Sequence, residues 1–478
     1  MWIDTRLNCF ILEEDLMDSR VEAFFDSVKG KRITFCGVGV SNAPLVEMFG
    51  KKGAKITVCD RRSREQLGEL GDRFEQQGVT LCLGDGYLDH LDADIVFRTP
   101  GMRFFMPELN RARRDGMAVT SELEVFFDLC PCPIYAVTGS DGKTTTTTVI
   151  SKMLEAQGKR VHLGGNIGRA LLPMIEEIRP DDVAVVELSS FQLISMRRSP
   201  KVAVITNISP NHLDMHKDMA EYVNAKKNIF LHQNAFGKAV FNADNEITAS
   251  FTDEARGQVL QFSRRHRVDA GAWLRKDGML MMTLAGKDTE LFPSSEIKIP
   301  GNHNIENYLT AITAVWGDVS VDNMRSVAGS FPGVEHRAEF VREYRGVRYY
   351  NDSIATTPSR TISGTLSLFD HRIILIAGGY DKKIPFTPLG PVVAEKVKTL
   401  ILLGATAPKI EAAVTQCAEY KGCPEILHVE NLEQAVAKAY EIAQEGDIVS
   451  LSPACASFDQ FPNFETRGEK FKEYVQAL

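Results

Sequence analysis

The chain has 478 residues, a length that suggests about three domains. Hydrophobic residues make up 44% and charged residues 25%, the balance of a soluble globular protein, and a net charge of −8 argues against a general nucleic-acid binder. No apolar run approaches the ~20 residues of a membrane span, and the acidic start (Asp4, Glu13, Glu14, Asp15) lacks the basic head and apolar core of a signal peptide.

Nine cysteines lie scattered from Cys9 to Cys455 without paired metal-type spacing. Cys130-Pro-Cys132 is read as an incidental C-x-C, and a reducing, cytoplasmic setting is expected.

Residues 1–30 read as an N-terminal extension followed by a helix, with Met17 a sensible alternative start. From Lys31 strand and helix alternate: a strand Arg32 to Cys36, a helix Ala43 to Lys52, a strand Lys55 to Cys59 ending at Asp60. Repeated units of this kind predict a parallel sheet with helices on both faces. The turn Gly37-Val-Gly39-Val40-Ser41-Asn42 holds two glycines of a dinucleotide fingerprint, with Asn42 in place of the third, and Asp60 stands where a ribose-binding acid is expected. Taken alone, that G-x-G is a structural turn as readily as a ligand site. A further strand, Ile95 to Arg98, runs into Thr99-Pro-Gly101 at the sheet edge where ligands bind, and the first domain is expected to close near Val119.

The second domain opens on the stretch around which the chain is organised, Ala136-Val-Thr-Gly139-Ser-Asp-Gly142-Lys-Thr-Thr-Thr146. The apolar run Ile134 to Val137 predicts a buried strand, and Thr145 to Leu154 predicts a helix. Between them Gly139 and Gly142 permit a tight loop whose N–H groups face an anion, Lys143 adds a point charge, and Thr144 offers a hydroxyl to Mg²⁺. The loop is one step short of G-x-x-x-x-G-K-[ST], since Val137 occupies the first glycine position. A Gly-rich turn, Gly164-Gly-Asn166-Ile-Gly168, follows, then two buried strands, Val183 to Val186 and Val202 to Ile205. The first ends at Glu187-Leu-Ser189, a carboxylate placed for Mg²⁺; the second leads to His212, which by itself is more readily a loop histidine than a ligand. Asp181 and Asp182 read as a solvated turn, and Lys226 with Lys227, on a helix Tyr222 to Phe230, as an exposed basic pair. Val240 to Asp244 and the stretches up to Phe292 read as shorter strands, and a helix Ile305 to Val315 carries Asn307 in its first turn.

A third domain from near Gly333 has strands Val347 to Tyr350, Ile373 to Ala377, Thr399 to Leu403 and Asp447 to Leu451, a second doubly wound sheet. Its loops Asn351-Asp-Ser353, Gly378-Gly-Tyr-Asp-Lys382 and Ser452 to Phe464 fall at the strand C-terminal ends.

Thr138-Gly-Ser-Asp-Gly-Lys-Thr144, Gly164-Gly-Asn-Ile-Gly168, Glu187-Leu-Ser-Ser-Phe-Gln-Leu193, His336-Arg337, Asn351-Asp-Ser353 and the loop Ser452 to Phe464 together resemble the Mur ligases of peptidoglycan synthesis, in family order from Gly37 to Gly468. Within that family they resemble the members that add D-glutamate to UDP-N-acetylmuramoyl-L-alanine. The resemblance implies a three-domain α/β fold: a Rossmann-like UDP-sugar domain (1–119), a P-loop-type ATP domain (120–333) and a Rossmann-like amino-acid domain (334–478). It implies that Gly39, Val40, Ser41, Asp60 and Arg61 hold the uridine nucleotide, with Asn166 near the pyrophosphate and Ser189 near the muramoyl group. Gly139, Ser140, Asp141, Gly142, Lys143, Thr144 and Thr145 would hold the ATP phosphates, Asn304 and Asn307 the adenine, and Arg337 and Asp352 would reach ATP from the third domain. Thr144, Glu187, His212 and a carbamylated Lys226 would serve Mg²⁺, and Lys382, Ser457 and Phe464 the D-glutamate. One position departs: Ile354 stands where the family often has lysine after Asn-Asp-Ser.

The implied reaction is attack of a substrate carboxylate on the γ-phosphorus of ATP, then displacement of phosphate from the acyl phosphate by an amine. No nucleic acid or membrane takes part, and a monomer is expected. Three other readings compete. An NAD-dependent oxidoreductase would explain Gly37, Gly39 and Asp60 but leave Gly142-Lys-Thr144 idle. A nucleotide-binding switch would not need the Lys382 and Ser457 loops, and a folylpolyglutamate-type ligase would lack the uridine domain.

Overall fold

The computed structural model describes residues 20–39, 41–210 and 215–478, and statements of absence below concern these alone. The expectations for residues 1–16, Met17, Val40 and His212 fall outside them. Helix 20–28 buries Val21, Phe25 and Val28, spaced by three and four so that one face turns inward.

The first sheet comprises β1 (Arg32–Cys36), β2 (Lys55–Asp60), β3 (Thr80–Leu83), β4 (Ile95–Arg98) and β5 (Ala118–Thr120), all parallel in the order β3-β2-β1-β4-β5. The strand order reverses between β1 and β4, which opens a crevice at their C-terminal ends.

The second sheet has β6 (Ile134–Thr138), β7 (Val161–Gly165), β8 (Val183–Glu187), β9 (Val202–Ile205), β10 (Lys238–Asn242), β11 (Gln258–Ser263), β12 (Gly271–Leu274), β13 (Met279–Leu284) and β14 (Lys287–Pro293). Their order is β14-β13-β12-β11-β10-β9-β6-β8-β7, parallel from β7 through β12 and antiparallel beyond. Every residue of β6, β8 and β9 is buried, so these central strands read in the sequence as apolar runs.

The third sheet has β15 (Glu339–Tyr344), β16 (Val347–Asn351), β17 (Ile373–Gly378), β18 (Val397–Leu403), β19 (Glu425–His428) and β20 (Ile448–Leu451), in the order β15-β16-β20-β17-β18-β19. Only β15 runs antiparallel, joined to β16 by Arg345 (φ 52°) and Gly346 (φ 72°), the two left-handed residues that a tight hairpin needs. The last strand, β20, is inserted between β16 and β17.

The chain forms two compact units. The first, residues 1–296 with Ile305–Val327, contains the first two sheets; the second, Ile297–Asn304 with Ala328–Leu478, contains the third.

Three expectations are corrected. Asp182 is not solvated: it is buried, its carboxylate 2.7 Å from Nε2 of His162 and accepting from the Arg179 N–H at 3.0 Å. Lys226 is not exposed: it is 2% accessible, whereas Lys227 reaches Glu254 at the surface. The glycine-rich turn also begins later than expected, because Gly164 and Gly165 finish β7.

Candidate functional site

At the β1/β4 crevice, Gly37 (φ 79°) approaches Thr99 so closely that a Cβ would stand 2.7 Å from Thr99 Cγ2. Asn42, in place of a third glycine, donates its carboxamide to the Gly37 carbonyl at 2.8 Å and so ties the turn from inside. Asp60 Oδ2 accepts from the Val38 N–H at 2.9 Å, while Arg62 grips both carboxylate oxygens through Nε (3.0 Å) and Nη2 (2.9 Å). Burial alone would raise the Asp60 pKa, but hydrogen bonds from Arg62 and the backbone N–H groups of Val38 and Arg62 outweigh it and hold the carboxyl at about 2. Arg61 is exposed, and Arg62, which the sequence reading passed over, orders the loop. Its signal was available: a cation two residues beyond a strand-end acid. Ser41 lies half-buried and Gly39 exposed on the same turn.

The phosphate loop emerges from β6 at the centre of the second sheet. A Cβ on Gly139 (φ 150°) would fall 1.9 Å from Thr206 Oγ1, and Gly142 (φ 77°) is left-handed with Asn307 Oδ1 against it. The loop backbone is fixed from β9 and the segment after it. Ser140 N–H donates to the Asn207 carbonyl (2.8 Å), Asp141 N–H to Asn207 Oδ1 (3.0 Å), and Thr206 Oγ1 to the Asp141 carbonyl (2.6 Å). The Ser140 hydroxyl is within 2.9 Å of Tyr222 OH. Helix Lys143–Ala156 starts at Gly142 without a side-chain cap, so Thr144 and Thr145 stand in a first turn whose N–H groups remain for an anion. Lys143 Nζ donates to the Ser140 carbonyl at 2.9 Å.

Glu187 ends β8 directly opposite Val137 of β6. Its Oε1 accepts from Asn166 Nδ2 at 2.7 Å, while its buried Oε2 has no hydrogen-bond donor among the described residues. An anionic oxygen left bare in the interior is costly, and a divalent cation is a fitting partner for it. Ser189 caps helix Ser190–Leu193 in a reciprocal box with Gln192. Lys226, on helix Met219–Leu231, donates to the Gly139 carbonyl (2.7 Å) and approaches Thr138 Oγ1 (3.2 Å). Burial first, then the neighbouring Lys143 charge, push the Lys226 ammonium well below its ordinary pKa, so the neutral amine is favoured. Asn307 Oδ1 accepts from Thr146 at 3.2 Å beneath the loop.

In the second unit the informative loops gather at the C-terminal ends of β16, β17 and β20. Asp352 is fully buried: Oδ2 accepts from Ser452 and Thr365 at 2.8 Å each, and Oδ1 accepts from the Ala338 N–H at 3.2 Å. Burial raises its pKa to about 6 against those hydrogen bonds. Its carboxyl therefore anchors the turn bearing Arg337 from inside. Lys382 is exposed, 3.2 Å from Thr356 Oγ1; Ser457 is buried; Phe464 stands edge-on to His336 with ring centres 6.0 Å apart. Asn304 donates to the Pro300 carbonyl at 2.6 Å. Arg467, absent from the sequence reading, is 3% exposed and ties these loops together through Ser353 Oγ (3.0 Å) and the carbonyls of Ser353, Cys455 and Ala456. At the departure from the family pattern, Arg360 Nη1 donates to the Ile354 carbonyl at 3.3 Å, so a guanidinium stands at that turn.

The chain matches known proteins along nearly its whole length. The Mur ligase middle domain matches residues 137–315, and the Mur ligase, glutamate ligase domain matches residues 336–455. The UDP-N-acetylmuramoylalanine–D-glutamate ligase of Acetivibrio thermocellus is 52% identical over 466 residues, 97% of this chain and 100% of the relative. A Clostridium botulinum protein of the same name is 49% identical over 464 residues, with the same coverage. Among solved structures, the UDP-N-acetylmuramate-alanine ligase MurC of Thermotoga maritima superposes with a TM-score of 0.56 at 18% identity, covering 94% of this chain and 99% of that one, a likeness of fold. With that identity sustained from end to end, the chain belongs to the Mur ligase family, on the branch of the UDP-N-acetylmuramoylalanine–D-glutamate ligases.

Proposed function

We propose that this chain is an ATP-dependent ligase that joins D-glutamate to the L-alanyl carboxylate of UDP-N-acetylmuramoyl-L-alanine, acting as a monomer in the cytoplasm. The observation that carries the reading is a convergence on one sheet edge. The uncapped helix start at Lys143, the bare Glu187 Oε2 and the buried Lys226 amine all meet where β6 and β8 end. Residues 1–119, 120–333 and 334–478 serve in turn the UDP-sugar, ATP and the amino acid.

In the first step a substrate carboxylate oxygen bonds to the γ-phosphorus of ATP and ADP leaves. Two anions approach each other, so the work is positioning and charge neutralisation. Lys143 and the N–H groups of the uncapped helix start, Gly142 to Thr145, meet the phosphates, with Gly139, Ser140 and Asp141 shaping the loop around them, and Asn304 and Asn307 face the adenine. Arg337 reaches the phosphates from the turn that Asp352 holds. Thr144, Glu187, His212 and carbamylated Lys226 would hold Mg²⁺, which supplies further positive charge to the transferring group. In the second step the D-glutamate amine bonds to the acyl carbon, loses a proton, and phosphate leaves. Lys382 and Ser457 take the amino acid's carboxylates and Phe464 its methylene stem. Gly39, Val40, Ser41, Asp60 and Arg61 line the uridine end, Asn166 and Ser189 the pyrophosphate and muramoyl part.

The test is phosphate release from ATP with UDP-N-acetylmuramoyl-L-alanine and a panel of amino acids at equal concentration, with product mass recorded. D-Glutamate is expected to be used far better than L-glutamate, lysine or diaminopimelate, because a basic side chain would face Lys382 as a like charge. Preference for lysine or diaminopimelate would overturn the amino-acid assignment, preference for L-glutamate only its handedness. No amide product with any of them would overturn the ligase reading.

A further inference from the structure

Arg337 sits between two residues with left-handed backbone, His336 (φ 60°) and Ala338 (φ 42°), neither of them glycine. Such conformations persist only where surrounding contacts over-determine them. Here the contacts come from both sides. Glu339 Oε2 accepts from the His336 N–H at 2.9 Å and from Asn351 Nδ2 at 3.1 Å, and Asp352 holds the Ala338 N–H. The His336 ring fits against Gly468 so tightly that a Cβ there would lie 2.2 Å from Nδ1.

One cation from the last helix, Phe464–Ala477, closes the arrangement. Lys472 Nζ lies 2.6 Å from Glu335, 2.8 Å from Glu469 and 3.4 Å from Glu339 Oε1, its side chain 20% exposed. Glu335, His336 and Glu469 have ligand atoms within 4.8 Å of one another, a grouping able to hold a metal ion. The charge that this cluster needs is already supplied by Lys472. The ion pairs are better fixed than an exposed pair because one ammonium serves three carboxylates, two of them flanking the strained turn.

We infer that Glu339 and Lys472 are positioning residues for the ligation: Lys472 aligns Glu339, and Glu339 locks the turn so that the Arg337 side chain has one direction. This rests on the reading of Arg337 as the arginine that meets ATP. A misplacement of about 1 Å in such a group costs on the order of 100-fold in rate, whereas the turn assigned to the uridine nucleotide belongs to the first sheet, in the other unit.

The experiment compares R337A, E339Q, K472M, K472R and the double variant R337A/K472M in the full chain, measuring kcat, KM for each of the three substrates, and Tm. Expected are a kcat/KM for ATP reduced about tenfold or more in K472M and E339Q, with KM for the uridine nucleotide within about twofold of the parent. K472R should recover most of the loss, and R337A/K472M should be no slower than R337A, since Lys472 acts through Arg337. If R337A is impaired while K472M and E339Q match the parent, the inference fails and the function stands. A harmless R337A would instead remove the reading of Arg337, and the inference with it. Equal losses for all three substrates, additivity in the double variant, or failure of both K472M and E339Q to fold would make the contacts merely structural and overturn the inference.

Discussion

The Lys226 side-chain nitrogen donates to the Gly139 carbonyl at 2.7 Å, so a titratable amine is buried against the backbone of the phosphate loop. Among the described residues no carboxylate stands within hydrogen-bonding distance of it, and burial disfavours its charge. A neutral amine can bond to the carbon of CO₂ and shed a proton, which leaves an anionic carbamate. We predict that Lys226→Ala loses most activity and regains part of it with added formate or another short carboxylate. Full activity of the variant without such additives would dispose of the carbamate.

Lys143 donates to the Ser140 carbonyl and is half-buried at the helix start, so its charge belongs to the loop rather than to the core. Lys143→Ala should therefore fold normally and lose about 10²–10³ in kcat, the usual cost of removing one transition-state donor. Steady-state phosphate release beside a melting curve settles it; near-parental turnover would remove the loop from the mechanism.

Arg62 and Arg61 make a sharper comparison. Because Arg62 binds both oxygens of Asp60 and the Val38 carbonyl, Arg62→Ala should loosen the crevice loop and raise KM for the uridine nucleotide about tenfold, with kcat little changed. Arg61→Ala should have the smaller effect on loop order, measured as protection of the Val38 amide from hydrogen exchange. A reversed ranking would show that the exposed arginine orders the loop.

Glu122 offers a test by pH. It is 5% exposed, and its Oε1 accepts from the N–H groups of Leu171 and Leu172 at 2.8 Å each. Burial raises its pKa to about 7 despite those bonds. The folded chain then keeps a proton that the unfolded chain has lost, so stability from this group is greatest below about pH 4.5 and falls as pH rises to about 7. Glu122→Gln keeps the acceptor without the charge. It should raise the urea midpoint at pH 8, by at most about 3 kcal/mol of stability, and leave it unchanged near pH 4. An equal effect at both pH values would contradict the shift.

What could be read in the sequence was what burial writes locally. β6, β8 and β9 are apolar runs because they are covered on both faces, while β3, β7 and β19, of similar length, are part-exposed and carry no such run. Lys226 was legible but misread in isolation: Tyr222, Ala225, Lys226, Ile229 and Phe230 are the buried residues of their helix, and that spacing puts the lysine on its inward face. Asp182 was not legible, since its partner His162 lies 20 residues away on β7, and neither was Arg467, whose acceptors come from two other loops. Long-range pairing leaves no local trace. The phosphate loop was legible because its glycines, lysine and threonine adjoin each other in the chain.

The place of β20 has a consequence for how the protein is made. In the first sheet the earliest strand, β1, lies in the interior of the strand order and every later strand adds at an edge; in the second, only β8 is inserted, between β6 and β7, and it follows β7 directly in the chain. In the third, β16 and β17 have no common neighbour until Ile448–Leu451 has been synthesised and slotted between them. Until then both strands present open edges, the exposed surface on which nascent chains aggregate. Folding of this unit is thus obligatorily late. A chain stopped short of Leu451 should carry a well-formed first unit and an unassembled second, the part that a protease or chaperone meets first.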